Sequence, residues 1–351
     1  MIRAFRDAAH PTRLRRLVLA VIVAALGSGC VSSNTSPIAL NDAPDAAELD
    51  LTTNSASPLT SASAAVRYQG IPYGPFGLWK GSALKGDPQP FTASHNFVSA
   101  DTLIAQLDAA RSMGQRLVLA MTGGAAELYT TDGQFDMAKW KNVMNSYKTS
   151  VLKKAVSAAV SDGTIIGNVL IDEPETAKWG SVLTKPMIDQ MAAYVKSIFP
   201  TLPVGVNHGP PGYTWRSGER YTKVDYAVYQ YAHWITQGDV VAWRNAVLAR
   251  AKLDGVKPGL SLNILNGGEQ DRDDGTYDCT GPAQGGLGTR YPNCWMTPDQ
   301  VRSWGEALTP YACVMLMWQY DATYMSTSAN QDAFNDIAAL AASKPRPSCK
   351  R

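Results

Sequence analysis

Apolar and polar positions alternate in blocks between residues 66 and 345, so that short apolar runs are separated by longer amphipathic segments. The run 115–121 is apolar over most of its length, which is typical of a parallel strand buried on both faces. Similar runs predict further strands at 70–79, 91–96, 165–171, 203–207, 225–231, 259–265 and 312–319. Helical periodicity and capping residues predict helices at 101–114, 137–162, 186–198, 239–252, 297–308 and 331–342.

The order of these elements predicts the fold. Eight strand–helix units in succession favour a closed parallel α/β barrel, the (β/α)8 fold, and the segment is close to the roughly 250 residues typical of that fold. The alternative is an open doubly wound sheet, but no Gly-x-Gly-x-x-Gly turn follows the first strand. We therefore expect one barrel domain at 66–345, followed by a short tail at 346–351.

A secretory signal is predicted at the amino terminus. Residues 1–16 carry five arginines, residues 17–26 are apolar, and small residues lead to Cys30, which is the order of a signal peptide at 1–29. The apolar run is shorter than the roughly 20 residues that a membrane span needs. The ending Leu-Gly-Ser-Gly-Cys resembles a bacterial lipobox, although Leu26 lies four rather than three residues before the cysteine. We expect lipidation of Cys30, with ordinary cleavage nearby as the alternative.

The segment 30–65 is rich in Ser, Thr, Asn, Ala and Pro and lacks apolar periodicity, so we interpret it as a disordered tether. Removal of the signal peptide takes away five arginines and one aspartate and changes the formal net charge from +2 to −2. The remaining chain lacks the basic stripe of a nucleic-acid-binding protein. We expect an exported, monomeric protein of the bacterial cell envelope that contacts the membrane through its N-terminal lipid.

Four cysteines follow Cys30, and an even number in an exported chain indicates disulfides. Three pairings are possible, and we favour Cys279–Cys294, within one loop, and Cys313–Cys349. In the predicted barrel, Cys313 begins the last strand and Cys349 follows the last helix, so both would lie at the bottom of the barrel. The cysteines do not show the Cys/His spacing of a zinc site.

In (β/α)8 proteins the active site is built at the carboxyl ends of the strands. The predicted strand ends are rich in amides, aromatic rings and histidines: Trp79, His95, Asn96, Asn207, His208, Gln230, Tyr231, His233, Trp234, Asn263, Asn266, Trp318 and Gln319. Amides hydrogen-bond sugar hydroxyls, and indole rings stack on the apolar faces of sugars. As a set these residues predict a carbohydrate-binding face, although any one of them also fits simple capping of the barrel core.

The fourth predicted strand ends abruptly in acids, with Asp172, Glu173 and Glu175 within four residues, and we count Glu175 among the candidate substrate-binding residues. Clustered carboxylates at an apolar rim repel each other and lose solvation, which raises the pKa of at least one of them. A carboxylic acid that keeps its proton near neutral pH is what a glycosidic oxygen requires from a general acid.

The motif Asp172-Glu173-Pro174 resembles the Asn-Glu-Pro motif of the large clan of retaining (β/α)8 glycoside hydrolases. The resemblance covers the strand order and this short motif, and it implies that Glu173 is the acid/base. Asp172 then stands where the clan has the Asn that contacts the sugar 2-hydroxyl. A carboxylate only accepts hydrogen bonds, so the departure puts that role in doubt.

The clan also needs a nucleophilic glutamate after the seventh strand, and Glu269 is the nearest candidate, with Asp321 after the eighth strand as another. Carboxyl groups about 5–5.5 Å apart would indicate a retaining enzyme, and about 6.5–9.5 Å an inverting one. Tyr229 and Tyr231 are candidates for orienting the nucleophile, with core packing the more natural role for Tyr229. The long polar loop 266–296 is expected to form one wall of a cleft, with aromatic residues that face the substrate, namely Tyr277, Tyr291 and Trp295.

Two alternatives belong to other functional classes: a carbohydrate-binding barrel without catalysis, and a structural envelope lipoprotein. The sequence contains neither a Gly-x-Ser-x-Gly elbow nor a His-Glu-x-x-His motif, which disfavours other hydrolases. A metal held by the three strand-end histidines with Asp172 is disfavoured because these residues show no local ligand spacing. We therefore predict a glycoside hydrolase that needs no cofactor.

Overall fold

The computed structural model describes residues 69–122, 126–215, 220–233, 239–268 and 295–351. Its centre is one sheet of eight parallel strands. These strands are β1 (Tyr73–Pro75), β2 (Ala93–Phe97), β3 (Arg116–Ala120), β4 (Ile165–Asp172), β5 (Val204–His208), β6 (Tyr226–Tyr231), β7 (Lys257–Leu262) and β8 (Met315–Met317). Neighbouring strands pair in the order β1-β8-β7-β6-β5-β4-β3-β2.

The first and last members of this order, β1 and β2, also meet, and this contact closes the sheet. Phe76 and His95 form a parallel bridge. The Gly77 amide donates to the His95 carbonyl at 2.7 Å, and the Thr92 amide donates to the Tyr73 carbonyl at 2.9 Å. The predicted (β/α)8 barrel is therefore confirmed, and the open-sheet alternative is wrong.

Helices follow the strands and cover the outside of the barrel. They are α1 (Leu103–Ser112), α2 (Met137–Asn145), α3 (Ser150–Ser161), α4 (Lys185–Ile198), α5 (Val240–Asp254), α6 (Pro298–Leu308), α7 (Ala322–Met325) and α8 (Ser328–Ser343). Among the described residues, no helix has the length and apolar character required to cross a bilayer. Thr297 and Gln300 form the predicted capping box at the start of α6.

The prediction of one continuous helix at 137–162 is wrong, because two helices, α2 and α3, occupy this stretch. The chain breaks at Tyr147, whose buried hydroxyl lies 2.8 Å from the carbonyl oxygens of both Val98 and Met121 and shares its one hydrogen between them. Thr149 then adopts an extended conformation and accepts the Leu152 amide, which begins a new helix. A long-range side-chain contact thus overrides a helical pattern that is continuous in sequence.

The predicted first strand, 70–79, is also too long, since β1 ends at Pro75. Gly77 has a φ of 70° and turns the chain. Trp79 and Lys80 then pair with Ala83–Leu84 in a separate antiparallel hairpin. The eighth strand is shorter than predicted as well, and the remaining strand boundaries agree within two or three residues.

Glycines beneath a tyrosine shape the interior of the barrel. The buried ring of Tyr226 lies against Gly167 of β4 and Gly205 of β5, where an added Cβ would lie 2.6 and 2.4 Å from its ring atoms. Core atoms in proteins are close-packed, so a methyl group at either position would displace the tyrosine. The interior is therefore filled at this level.

The amino-terminal ends of the strands are closed by the carboxyl-terminal segment. The predicted disulfide Cys313–Cys349 is present and ties this segment to the start of β8. The guanidinium of Arg351 donates to the carbonyls of Tyr221 and Gly255 at 3.0 Å each. Several predicted features lie outside the described residues: the signal peptide, the lipidated Cys30, the tether and the Cys279–Cys294 pair.

Candidate active site

A cavity of about 400 Å³ opens at the carboxyl ends of the strands. Most of the barrel strands contribute to its lining, so it lies where active sites form in this fold. The lining combines carboxylates, amides and aromatic rings: Phe76, His95, Phe97, Thr122, Asp172, Glu173, Asn207, Gln230, Asn263, Asn266, Trp318 and Gln319. Seven of the thirteen residues that we assigned to the strand ends, together with the first two of the three acids that end β4, therefore share one cavity.

Glu173 has an uncommon backbone conformation, with a φ of 48°. Residues with side chains rarely adopt this left-handed region, and such strain clusters at functional sites. Hydrogen bonds hold it in place, because the Glu173 amide donates to the Asn207 carbonyl at 2.7 Å. Its own carbonyl accepts the Thr176 hydroxyl at 2.9 Å and the Trp179 indole at 3.2 Å. The bend aims the Glu173 side chain into the cavity.

Lys178 binds both acids that line the cavity. Its ammonium lies 2.7 Å from Asp172 Oδ2 and 3.1 Å from Glu173 Oε2. The other oxygen of Asp172 accepts a hydrogen bond from the Asn207 side-chain amide. Burial opposes the charge on Lys178, but the two carboxylates prevail and raise its pKa.

The pKa of the Glu173 carboxyl is raised above its ordinary value. Burial is the largest cause, repulsion from Asp172 adds to it, and Lys178 opposes both. Asp172 is more exposed than Glu173, with 48% against 30% of the side-chain surface accessible. Of these two neighbouring acids, Glu173 is therefore the one placed to hold a proton inside the cavity.

Gly209, directly after β5, fixes the position of the Glu173 carboxyl. A Cβ at this glycine would lie 2.8 Å from Glu173 Oε1, so the carboxyl group packs directly on the bare backbone. The Gly209 amide also donates to Glu175 Oε1 at 2.7 Å. One residue without a side chain thus supports two of the three acids that end β4.

Glu175 faces away from the cavity and binds His208, with 3.0 Å between Oε2 and Nδ1. His208 is fully buried and stacks on Tyr229 with ring centroids 5.1 Å apart. Neither Glu175 nor His208 lines the cavity, although we predicted both as substrate-binding residues. Their contacts indicate a structural pair that anchors the loop after β4 to β5.

Several polar atoms at the cavity are buried and have no protein partner within the described part of the chain. They are Nε2 of His95, Oδ1 of Asn207 and Oδ1 of Asn263. Burial lowers the pKa of His95 to about 4, against the opposing charge of Asp172. The imidazole is therefore neutral near pH 7. Buried polar groups without partners are costly, so these atoms are suited to bind the hydroxyl groups of a ligand.

Aromatic rings form the apolar part of the cavity. Trp318 follows β8 and is joined to Gln319 by a cis peptide bond. Phe97, at the end of β2, is 55% exposed and lies edge-on to His95 with ring centroids 6.1 Å apart. Three residues beside the cavity were not predicted from the sequence, namely Phe76, Phe97 and Lys178, although each lies at a strand end or within six residues of one.

Five other predicted residues lie outside the cavity lining. Trp79 is buried in its hairpin, and its backbone amide donates to Asn96 Oδ1 at 3.1 Å. Tyr231 bonds His233 Nδ1 at 3.0 Å, and the His233 ring stacks on Trp304 with centroids 5.2 Å apart. Asp321 caps α7 by accepting the Tyr324 amide. The residues in this group are Trp79, Asn96, Tyr231, His233 and Asp321.

Other predictions fall partly or wholly outside the described residues. Trp234, Glu269, Tyr277 and Tyr291 belong to undescribed segments. Trp295 is described and packs edge-on against Tyr324 with ring centroids 5.2 Å apart, outside the cavity lining. Within the described ranges, no group of three or more His, Cys, Asp or Glu residues is arranged to hold a metal ion.

No protein-family model matches the chain, and no curated protein matches its sequence. Solved structures with a similar trace include a chitinase from Rhizomucor miehei, at 11% identity and a TM-score of 0.47, covering 76% of this chain and 99% of the chitinase. Xylanase 10B from Thermotoga maritima has 9% identity and a TM-score of 0.43, covering 80% and 98%. An endo-1,4-beta-mannanase from Eisenia fetida has 10% identity and a TM-score of 0.43, covering 74% and 82%.

Proposed function

We propose that this protein is a glycoside hydrolase in which Glu173 is the general acid. The observation that carries the proposal is a carboxyl group with a raised pKa on the wall of a cavity rich in amides and aromatic rings. A general acid works best when its pKa is close to the working pH. Desolvation and a neighbouring carboxylate are the means by which glycosidases achieve this.

In the proposed reaction, Glu173 donates its proton to the glycosidic oxygen while the bond from that oxygen to the anomeric carbon breaks. The sugar ring develops positive charge, which Asp172 stabilises electrostatically from the adjacent position. The leaving alcohol departs with the Glu173 proton. As the alcohol leaves, a second carboxylate forms a bond to the anomeric carbon. Glu173 as carboxylate then takes a proton from a water molecule, whose oxygen bonds to the anomeric carbon and displaces the second carboxylate.

The second catalytic carboxylate is proposed to be Glu269. Asp172 and Glu173 are adjacent in the chain, and both bind the ammonium of Lys178. They are the carboxylates among the described lining residues, and neither lies across the cavity from the other. In the sequence, Glu269 follows Asn263 and Asn266, which line the cavity beyond the end of β7. Loss of activity in Glu269→Gln, with folding retained, would support this assignment.

The substrate is proposed to be a neutral oligo- or polysaccharide. The amides of Asn207, Gln230 and Asn263 offer both donors and acceptors to hydroxyl groups. The neutral His95 ring adds another such group, and the exposed face of Phe97 is suited to stack on a sugar ring. The cation at the cavity, Lys178, is already bound by two carboxylates and is not available for an anionic sugar.

The test uses the purified full-length chain against a panel of polysaccharides and aryl glycosides, beside Glu173→Gln. General acid catalysis contributes roughly 10²–10⁴-fold, so the variant should lose activity by that factor on polysaccharides. It should lose far less on dinitrophenyl glycosides, because their leaving group needs no proton. The matched control is Glu306→Gln, which makes the same change on the exposed side of α6. Full activity of Glu173→Gln on polysaccharides would show that Glu173 is not the acid.

A carbohydrate-binding protein without catalysis is the second candidate. One observation favours it. Asp172 and Glu173 lie next to each other, so the described part of the cavity does not contain two acids on opposite sides of a bound sugar. Saturable binding of a glycan by calorimetry, without release of reducing sugar by the wild-type chain, would replace the enzymatic proposal with this one.

We also propose that the protein is exported and anchored through a lipid on Cys30, on the basis of the sequence of residues 1–30. Metabolic labelling with a radioactive fatty acid should mark the wild-type chain and leave Cys30→Ala unlabelled. Labelling of both chains, or of neither, would contradict lipidation at this cysteine.

A further inference from the structure

A second cavity, of about 540 Å³, opens at the opposite end of the barrel, around the amino-terminal ends of the strands. Arg116 comes from the start of β3, and Ser157 and Ser161 come from α3. Arg346, Ser348 and Lys350 come from the carboxyl-terminal segment. This cavity shares no residue with the candidate active site.

The charges around this cavity have one sign. Its lining includes three cations and four hydroxyl-bearing residues, and it includes neither Asp nor Glu. The nearby Asp162 is engaged elsewhere, since it accepts from Arg111 at 2.8 Å and from the Thr164 amide at 2.9 Å. Within the described residues, no ion pair involves Arg346 or Lys350. A cavity with these groups has a positive potential that favours an anion.

Two guanidinium groups converge at one point of the wall. The Nε of Arg116 donates to the Gly163 carbonyl at 3.3 Å, and Arg116 is buried. A Cβ at Gly163 would lie 2.3 Å from a terminal nitrogen of Arg346, so that guanidinium packs directly on the same glycine. Planar guanidinium forks match the geometry of phosphate oxygens and can bind them with paired hydrogen bonds.

The wall that carries Arg346 and Lys350 is fixed. Cys349, next to Lys350, is joined to Cys313 by the disulfide, with 5.1 Å between the Cα atoms. The last residue, Arg351, is held by backbone carbonyls on the other side of the barrel bottom. Cations on a fixed segment lose little conformational entropy when they bind a ligand.

From this arrangement we infer that the cavity at the bottom of the barrel is a binding site for a phosphate group. Its ligand is either a free phosphate ion or phosphomonoester, or the phosphodiester of a lipid headgroup. Arg116 and Arg346 bind the phosphate oxygens, Lys350 adds charge, and the serine hydroxyls donate further hydrogen bonds.

The first experiment titrates inorganic phosphate into the purified full chain by calorimetry at fixed ionic strength, with chloride as the reference anion. The full chain carries Cys30→Ala, so that a lipid cannot contribute. The variant combines Arg346→Gln with Lys350→Gln, both of which are exposed and leave buried Arg116 in place. The matched control combines Lys80→Gln with Lys139→Gln, which changes the net charge equally on exposed residues away from this cavity.

We expect saturable phosphate binding that is weakened roughly tenfold or more in the double variant, since it loses two charge-assisted contacts. The control pair should bind like the parent. A second arm compares flotation with phosphatidylglycerol and phosphatidylcholine vesicles. A preference for phosphatidylglycerol that the double variant loses identifies a lipid headgroup, whereas phosphate binding alone identifies a soluble ligand. No saturable binding in either arm, or equal weakening in the control pair, overturns the inference.

Discussion

Replacement of Lys178 by Met tests whether this lysine sets the pH range of the reaction. The change keeps an apolar stem over Trp179, against which the ammonium lies 5.2 Å from the ring centroid, and removes the charge. Without it, the carboxylate form of Glu173 loses its stabilising partner, so the pKa of Glu173 rises further. The protonated acid is the active form, and activity is lost as pH rises through this pKa.

The size of the shift follows from the geometry. For unit charges 3.1 Å apart, as in the contact between Lys178 and Glu173, Coulomb's law gives about 1.3 kcal/mol in water and about 5 kcal/mol at an effective dielectric of about 20. Both side chains are about one-third exposed, so water screens the pair and the interaction energy lies closer to about 1.3 than to about 5 kcal/mol. One pKa unit corresponds to about 1.4 kcal/mol, so we expect an upward shift of about one unit and at most about two.

The assay is the pH dependence of kcat/KM on an aryl glycoside that the wild type cleaves. The alkaline limb should move upwards in Lys178→Met and stay in place in Lys178→Arg, which keeps the charge. Carbon-13 NMR of the Glu173 carboxyl, assigned with Glu173→Gln, measures the same shift without any substrate. An alkaline limb and a carboxyl titration that are unchanged in Lys178→Met would refute the role of Lys178.

Three further predictions concern the site and its support. Gly209→Ala should displace the Glu173 carboxyl, because the new Cβ would lie 2.8 Å from Oε1, and should lower kcat by roughly ten- to a hundredfold while thermal unfolding changes little. The pKa of Glu173 is higher in the folded protein than its ordinary value of 4.5 in the unfolded chain. As pH rises above 4.5, the unfolded chain releases this proton more readily, so the unfolding free energy of the wild type falls. The gain in unfolding free energy of Glu173→Gln should therefore grow as pH rises above about 4 in urea titrations, and a constant difference would contradict this. Reduction of Cys313–Cys349, which spans 36 residues, should lower the unfolding free energy by about 4 kcal/mol in the same assay.

The barrel was predictable from sequence because the same pattern, an apolar strand followed by an amphipathic helix, recurs along the chain. Each strand is buried on both faces and each helix presents one apolar side, so errors of a few residues at the boundaries do not change the topology. The prediction failed where a distant contact decides the local structure. Tyr147 breaks the 137–162 helix because its hydroxyl binds two carbonyls that directly follow β2 and β3, and neither partner is visible in the helical pattern.

The site was predictable as a set of strand ends, but not residue by residue. The end of a strand can be located from sequence, and it determines which residues lie at the rim of the barrel. Whether the side chain of such a residue faces the cavity depends on its neighbours in the folded protein. His208 and Asn207 are adjacent on β5, and only Asn207 lines the cavity, because successive side chains point to opposite faces. Gly209 carries no chemical group, and its role became visible only through its packing on Glu173.

The three acids that end β4 occupy three different environments because the backbone turns at Glu173. Asp172 still belongs to the strand and is held at the rim by Lys178 and the Asn207 side chain. Glu173, in its left-handed conformation, turns into the cavity, where burial raises its pKa. Glu175 faces away from the cavity and is held by hydrogen bonds from His208 and the Gly209 amide. A regular extended backbone would place neighbouring acids on opposite faces of the strand, so the strain at Glu173 is what keeps two of them at one cavity while the third anchors the loop.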